Sequence, residues 1–192
     1  MLTTVALFLA AGTLSGCAAT QAPAPIESTA PTAEATTAPT ETPPVFASND
    51  EALAAAEAAY SNYLAAGDAA GAIDSDSWKE FLALSTGPEH DATVQSRELM
   101  QQKGWSFAGR TQFDSMVVQS SKPLPNSTWE IRTYLCLDLS ATDTVNETGD
   151  SVVSHDGTQR SPMLVVFVTP NENSHQLLIS ESPLWSGSDF CS

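Results

Sequence analysis

The stretch Thr128–Ser140, TWEIRTYLCLDLS, constrains this chain more than any other. Trp129, Ile131, Thr133, Leu135 and Leu137 alternate with Glu130, Arg132, Tyr134, Cys136 and Asp138. Alternation of period two over that length marks a β-strand with one face on a core. The fold must therefore hold a sheet with a covered side, and another part of the chain must supply the cover.

That cover lies upstream. Ser48-Asn49-Asp50-Glu51 fits a capping box, in which each end side chain satisfies a free amide of the first turn. The spacing predicts a helix from there to about Ala66, with Gly67 placed to end it. Leu53, Ala56, Tyr60 and Leu64 mark its buried face, with Tyr63 alongside. A second helix is predicted over Asp76–Leu84, with Trp78, Phe81 and Leu82 inward, and Ser85-Thr86-Gly87-Pro88 breaks it. A third is predicted over Asp91–Lys103, its larger apolar residues Val94, Leu99 and Met100, with Gly104 as a stop.

From Trp105 the period becomes alternating. Strands are predicted over Ser106–Ser120, Thr128–Ser140, Ser161–Pro170 and Gln176–Trp185, with a polar, acidic loop over Asp143–Gly157. The third is apolar on both faces and so central. Helices first and strands after give an α+β order. The expected architecture is three N-terminal helices packed on a curved, mainly antiparallel four-stranded sheet, cone-like, with short joins that favour a meander.

The first 47 residues are of another kind. Residues 1–16 are apolar and small, and end in Leu14-Ser15-Gly16-Cys17. This resembles the lipobox of bacterial lipoproteins. The resemblance implies cleavage before Cys17 and a diacylglycerol on its sulfur. Each buried methylene contributes about 0.8 kcal/mol, so several acyl chains hold a protein on a membrane where one does not. An export signal needs a positive first segment, and residues 1–16 hold no Lys or Arg, which predicts a start upstream of Met1. Residues 18–47 are rich in Pro, Thr and Ala and cannot form a core. They read as a tether between the lipid and a single domain over 48–192. The expected location is the outer face of a bacterial cell membrane. No apolar run after Cys17 approaches the roughly 20 residues of a membrane span.

Charge narrows the partners. The 23 acidic and 7 basic residues leave a formal net charge of −16. Such a polyanion is repelled by phosphate backbones, so nucleic acid is not an expected partner.

The order of elements over roughly residues 49–190 resembles the nuclear-transport-factor-2-like fold, shared with ketosteroid isomerase and polyketide-cyclase-like proteins. The helical first third, the switch at Lys103-Gly104-Trp105 and the four strands carry the likeness. More narrowly, the lipobox, the Tyr134–Asp138 strand and the terminal Trp185…Asp189-Phe190-Cys191 are similar to small actinobacterial lipoproteins. The resemblance implies a pocket, without fixing a reaction. No residue matches the family's acid–base positions by a motif, so no catalytic residue is carried over.

With Cys17 assigned to lipid, Cys136 and Cys191 remain as an even set, and two cysteines outside the cytoplasm usually pair. Their bridge would close a loop of about 56 residues, for which loop entropy gives about 4 kcal/mol. The alternative, a redox pair, lacks the Cys-x-x-Cys spacing. His90, His155 and His175 share no ligand spacing, so no metal site is expected. Asp138, Asp143, Glu147, Asp150 and Asp156 form an acidic run without EF-hand spacing and read as a solvated loop. Asn126-Ser127-Thr128 and Asn146-Glu147-Thr148 fit the glycosylation pattern by coincidence. Tyr60, Trp105, Phe107 and Trp129, with Tyr63 and Trp78, either line a pocket for a flat apolar ligand or form plain core. No cofactor is expected. The function expected is a non-enzymatic accessory domain that binds a small apolar ligand or a partner protein. The alternative is a metal-independent isomerase or dehydratase using a pocket carboxylate.

Overall fold

The computed structural model describes residues 44–71, 73–154 and 156–191. The signal segment, Cys17, the tether up to residue 43, and His155 lie outside the described residues. Among the described residues, three helices precede six strands: α1 (Asn49–Ala69), α2 (Asp76–Leu82), α3 (Gly87–Lys103), β1 (Ser106–Gly109), β2 (Gln112–Pro123), β3 (Trp129–Asp138), β4 (Thr142–Val145), β5 (Arg160–Val168) and β6 (Leu178–Glu181). The class is α+β. β2, β3, β5 and β6 pair in that order as an antiparallel meander, while β1 and β4 form a separate antiparallel pair.

The helix starts follow their caps. Ser48 Oγ accepts from the Glu51 amide, and Glu51 Oε2 accepts from the Ala47 amide at 2.7 Å. Gly67 does not end α1, which runs on to Ala69. A β-carbon there would sit 3.1 Å from the Phe81 ring, so glycine is present for close approach. Gly87-Pro88 does not merely break a helix. Pro88 stands in the first turn of α3, where its missing N–H costs nothing. Gly104 caps α3 with φ of 66°, as its position predicts.

The predicted first strand is two strands. Gly109, with φ of 99°, turns the chain between β1 and β2, and any β-carbon there would collide with the Ala141 carbonyl. The expected acidic loop supplies β4, which pairs with β1 over Ser106–Gly109. β6 is shorter than predicted because Pro183 removes a ladder donor. The chain past it still holds β5, through the Leu164 amide to the Pro183 carbonyl and the Trp185 amide to the Pro162 carbonyl.

The inner face of the sheet is that of the expected alternation. Ile131, Thr133 and Leu135 of β3, Val165 and Phe167 of β5, and Ile179 of β6 are fully buried. They face Ala52, Ala56, Tyr60 and Tyr63 of α1 and Trp78 and Phe81 of α2. The two alanines let α1 approach the sheet closely. Packing begins before residue 48: Phe46 is buried and meets His175 edge-on, so Val45 and Phe46 belong to the domain core rather than the tether. Leu99, one of the larger apolar residues of α3, is half exposed.

The outer face is crossed by the C-terminal tail. Cys136 and Cys191 form a disulfide with Cα atoms 5.5 Å apart. Tyr134 contacts Trp185, with ring centroids 4.6 Å apart, and Phe190 at 5.9 Å. One margin of the sheet is closed by Leu84–Thr86, whose backbone exchanges hydrogen bonds with Ile179. The glycosylation-pattern asparagines act as turn formers: Asn126 Oδ1 accepts from Thr128 Oγ1 at 2.7 Å and Asn146 Oδ1 from the Thr148 amide at 3.0 Å.

Candidate functional site

A cleft of about 370 Å³ opens where the C-terminal half of α1 meets α2, α3 and β1. That size is in the range of small-molecule sites. Tyr63, Leu64, Gly67 and Asp68 of α1 form one wall, one turn apart along the helix. Trp78 and Phe81 of α2 form the floor, and Phe81 reaches it because Gly67 has no side chain. The opposite wall is the stripe Glu89, Thr93, Arg97 of α3, at i, i+4 and i+8, with Met100 at its end. Phe107 of β1 and Thr111 close the rim.

The polar groups of the cleft are mostly engaged with one another. The Tyr63 hydroxyl donates to Glu89 Oε1 at 2.6 Å and lies 3.0 Å from Thr93 Oγ1. Burial, and then the Glu89 charge, push the Tyr63 hydroxyl pKa far above the ordinary tyrosine value. Asp68 accepts from the Thr111 amide at 3.1 Å and from Thr111 Oγ1 at 3.1 Å.

Arg97 differs. Its guanidinium carbon lies 5.1 Å from the centroid of a Trp78 ring, and Nη2 donates to the Ala70 carbonyl at 3.2 Å. Burial pulls its pKa below the ordinary arginine value. No carboxylate among the described residues pairs with it, although Lys79, Lys122, Arg132 and Arg160 each have one. A second cavity of about 340 Å³ adjoins, lined by Arg97, Gln101, Trp105 and Phe107.

The aromatic residues expected to line a pocket divide. Phe107 lines the cleft and Trp105 the adjoining cavity. Tyr60 and Trp129 are core. Tyr60 is buried edge-on against Phe113 at 5.1 Å, and burial pushes its hydroxyl up to about 12. Trp129 lies at the far end of β3, where its indole N–H donates to Ser121 Oγ at 2.7 Å. Asp68, Glu89, Thr93 and Arg97 are absent from the sequence reading. The four-residue spacing of the last three on α3 was a visible signal, but such a stripe usually denotes a solvated helix face.

The outer face holds a separate polar group. Glu130 is the only buried carboxylate among the described residues. It pairs with Arg132 at 3.0 Å and Lys122 at 3.5 Å. Burial raises its pKa, but the hydrogen bond and charge of Arg132, with the Lys122 charge, outweigh that and hold it below the usual carboxylate value.

No family model matches the chain, and no curated protein matches it. Among solved structures, the intermembrane space region of the chloroplast protein ARC6 is similar, with a TM-score of 0.47 and 11% identity. The match covers 70% of this chain and 97% of that one. Among the described residues, no helix is long and apolar enough to cross a membrane.

Proposed function

We propose that this protein is an extracytoplasmic lipoprotein, anchored to the outer face of the cell membrane through Cys17, whose domain binds a small, flat, largely apolar ligand without transforming it. The observation that carries the binding half is the cleft itself. Trp78, Phe81, Met100 and Phe107 supply apolar surface around about 370 Å³. Asp68 and Glu89, the carboxylates that line it, already accept hydrogen bonds from Thr111 and Tyr63. The buried carboxylate, Glu130, stands on the other face of the sheet with two cations. The disulfide supports the extracytoplasmic half, since such bonds persist in oxidising compartments. The helices-then-meander order supports a nuclear-transport-factor-2-like, cone-shaped reading of the fold.

The anchor is tested by mass spectrometry of protein from a membrane fraction: an acylated Cys17 supports the reading and an unmodified, uncut N-terminus overturns it. The cleft is tested on the full chain carrying Cys17→Ser, so that no acyl chain competes, with 2-naphthamide as probe. Trp78 fluorescence and NMR chemical shifts should respond to the probe in the original chain and not in Ser96→Trp, which fills the cleft. Equal binding by both proteins, or by neither, overturns the binding half.

A further inference from the structure

We infer that the ligand of this cleft carries an anionic group, a carboxylate or its chemical equivalent, that is received by Arg97. The inference rests on the cleft being a binding site and adds the charge of what it binds.

The chain has 23 acidic residues and 7 basic ones, so carboxylate partners are abundant. Lys79, Lys122, Arg132 and Arg160 each take one. The cations without one among the described residues are Arg97, Lys103 and Arg110, and the last two are exposed to water. Arg97 alone of the three is half-buried, and it is the one that lines the cleft. A half-buried guanidinium in an acidic protein would ordinarily gain a carboxylate neighbour, because even partial burial penalises an unpaired charge. Here the carboxylates that line the cleft are engaged elsewhere. Asp68 is turned to Thr111, and Glu89 is held by Tyr63 two helical turns away, about 12 Å along the axis.

Arg97 is also held in place. The Ala70 carbonyl takes one of its five donors, and its guanidinium carbon lies over the Trp78 ring. Its remaining N–H groups have no protein acceptor among the described residues. A planar cation held over an aromatic ring, with donors left over, is suited to bidentate reception of a carboxylate. The apolar body of such a ligand would lie along Met100, Phe107 and Trp78.

The test compares 2-naphthoate with 2-naphthamide, which differ by charge at nearly constant shape, on the full chain carrying Cys17→Ser. Titration calorimetry should show 2-naphthoate binding roughly ten- to a hundredfold more tightly than the amide, the range of a charge-assisted pair. Arg97→Gln should remove that preference, so that the naphthoate and the amide bind alike. Arg97→Lys, a fold-preserving control that keeps the charge but loses the fork, should keep only part of it. If the amide binds and the naphthoate is no better, the anionic inference falls and the binding site stands. If the preference survives in Arg97→Gln, the anion is received elsewhere and the inference falls. If neither probe binds the original chain, the binding site itself falls, and the inference with it.

Discussion

The Tyr63 hydroxyl donates to Glu89 Oε1 over 2.6 Å, and that bond ties the middle of α1 to the first turn of α3. α3 contributes no fully buried side chain, so its position depends on contacts of this kind. Tyr63→Phe removes the hydroxyl and leaves Glu89 without its partner. The expected cost is about 1–2 kcal/mol, read as a fall in Tm of several degrees. An unchanged Tm would mean that α3 is held by other means.

The same burial sets an alkaline prediction. The pKa of Tyr60 is raised from 10.0 to about 12, and that of Tyr63 is raised further. A group whose folded pKa is raised contributes stability that is full below its unfolded value and is lost as pH rises toward the folded one. Stability should therefore fall above about pH 10. The tyrosinate absorbance of Tyr60 should appear only near pH 12, and that of Tyr63 later still, unless the chain unfolds first. Early ionisation of both in folded protein would contradict their burial.

Glu130 governs the opposite limb. Its pKa is lowered from 4.5 by Arg132 and Lys122 in spite of burial. Its contribution is present above that value and is lost as pH falls through the folded pKa. Glu130→Gln should cost about 1–2 kcal/mol at neutral pH and make the acid limb of the stability curve shallower. A variant with an acid limb as steep as the original would assign that limb to other carboxylates.

Reduction of Cys136–Cys191 frees the tail from β3. The residues are 55 apart in sequence, and the loop-entropy argument gives a loss of about 4 kcal/mol. Urea unfolding of the Cys136→Ser, Cys191→Ser double variant should reproduce the loss seen with reductant. It should also increase exposure of Tyr134 and Trp185, read by fluorescence quenching.

Gly67 separates two effects. Alanine in a helix gains roughly 0.5–1 kcal/mol over glycine, but its β-carbon would meet Phe81 at 3.1 Å. Gly67→Ala should therefore leave stability nearly unchanged, whereas Gly67→Leu should cost about 1–3 kcal/mol through overpacking and block the cleft. Gly67→Leu with full stability and full probe binding would contradict the packing of Phe81.

Much of this fold was legible in the sequence where one physical signal dominated. The alternation in Thr128–Ser140 identified β3 and its inward residues, and the Ser48–Glu51 box marked the start of α1. The disulfide followed from counting cysteines once Cys17 was assigned to lipid. Legibility ended where a residue type serves two purposes. Gly67 reads equally as a helix stop or as a place for a neighbour to approach, and only the position of Phe81 decides. Gly87-Pro88 reads as a break, yet proline also suits a helix start. Gly109 divides a run that looks continuous because its partner carbonyl, at Ala141, is 32 residues away. The cleft was least legible. Asp68, Thr111, Arg97 and Ala70 are drawn together by tertiary contacts between α1, α3 and the β1–β2 turn, which local periodicity does not encode.

The disulfide also governs what a protease could accomplish. The polar stretch between β4 and β5 lies inside the span that Cys136 and Cys191 close. A single cut there would divide the polypeptide without dividing the molecule: both pieces would migrate as one band until reduced. The C-terminal piece would carry β5 and β6, with β5 still paired to β3 and β6 to β5. Damage to the outer loop would thus be recorded in the covalent chain while the helical side of the domain, where the cleft lies, stayed assembled.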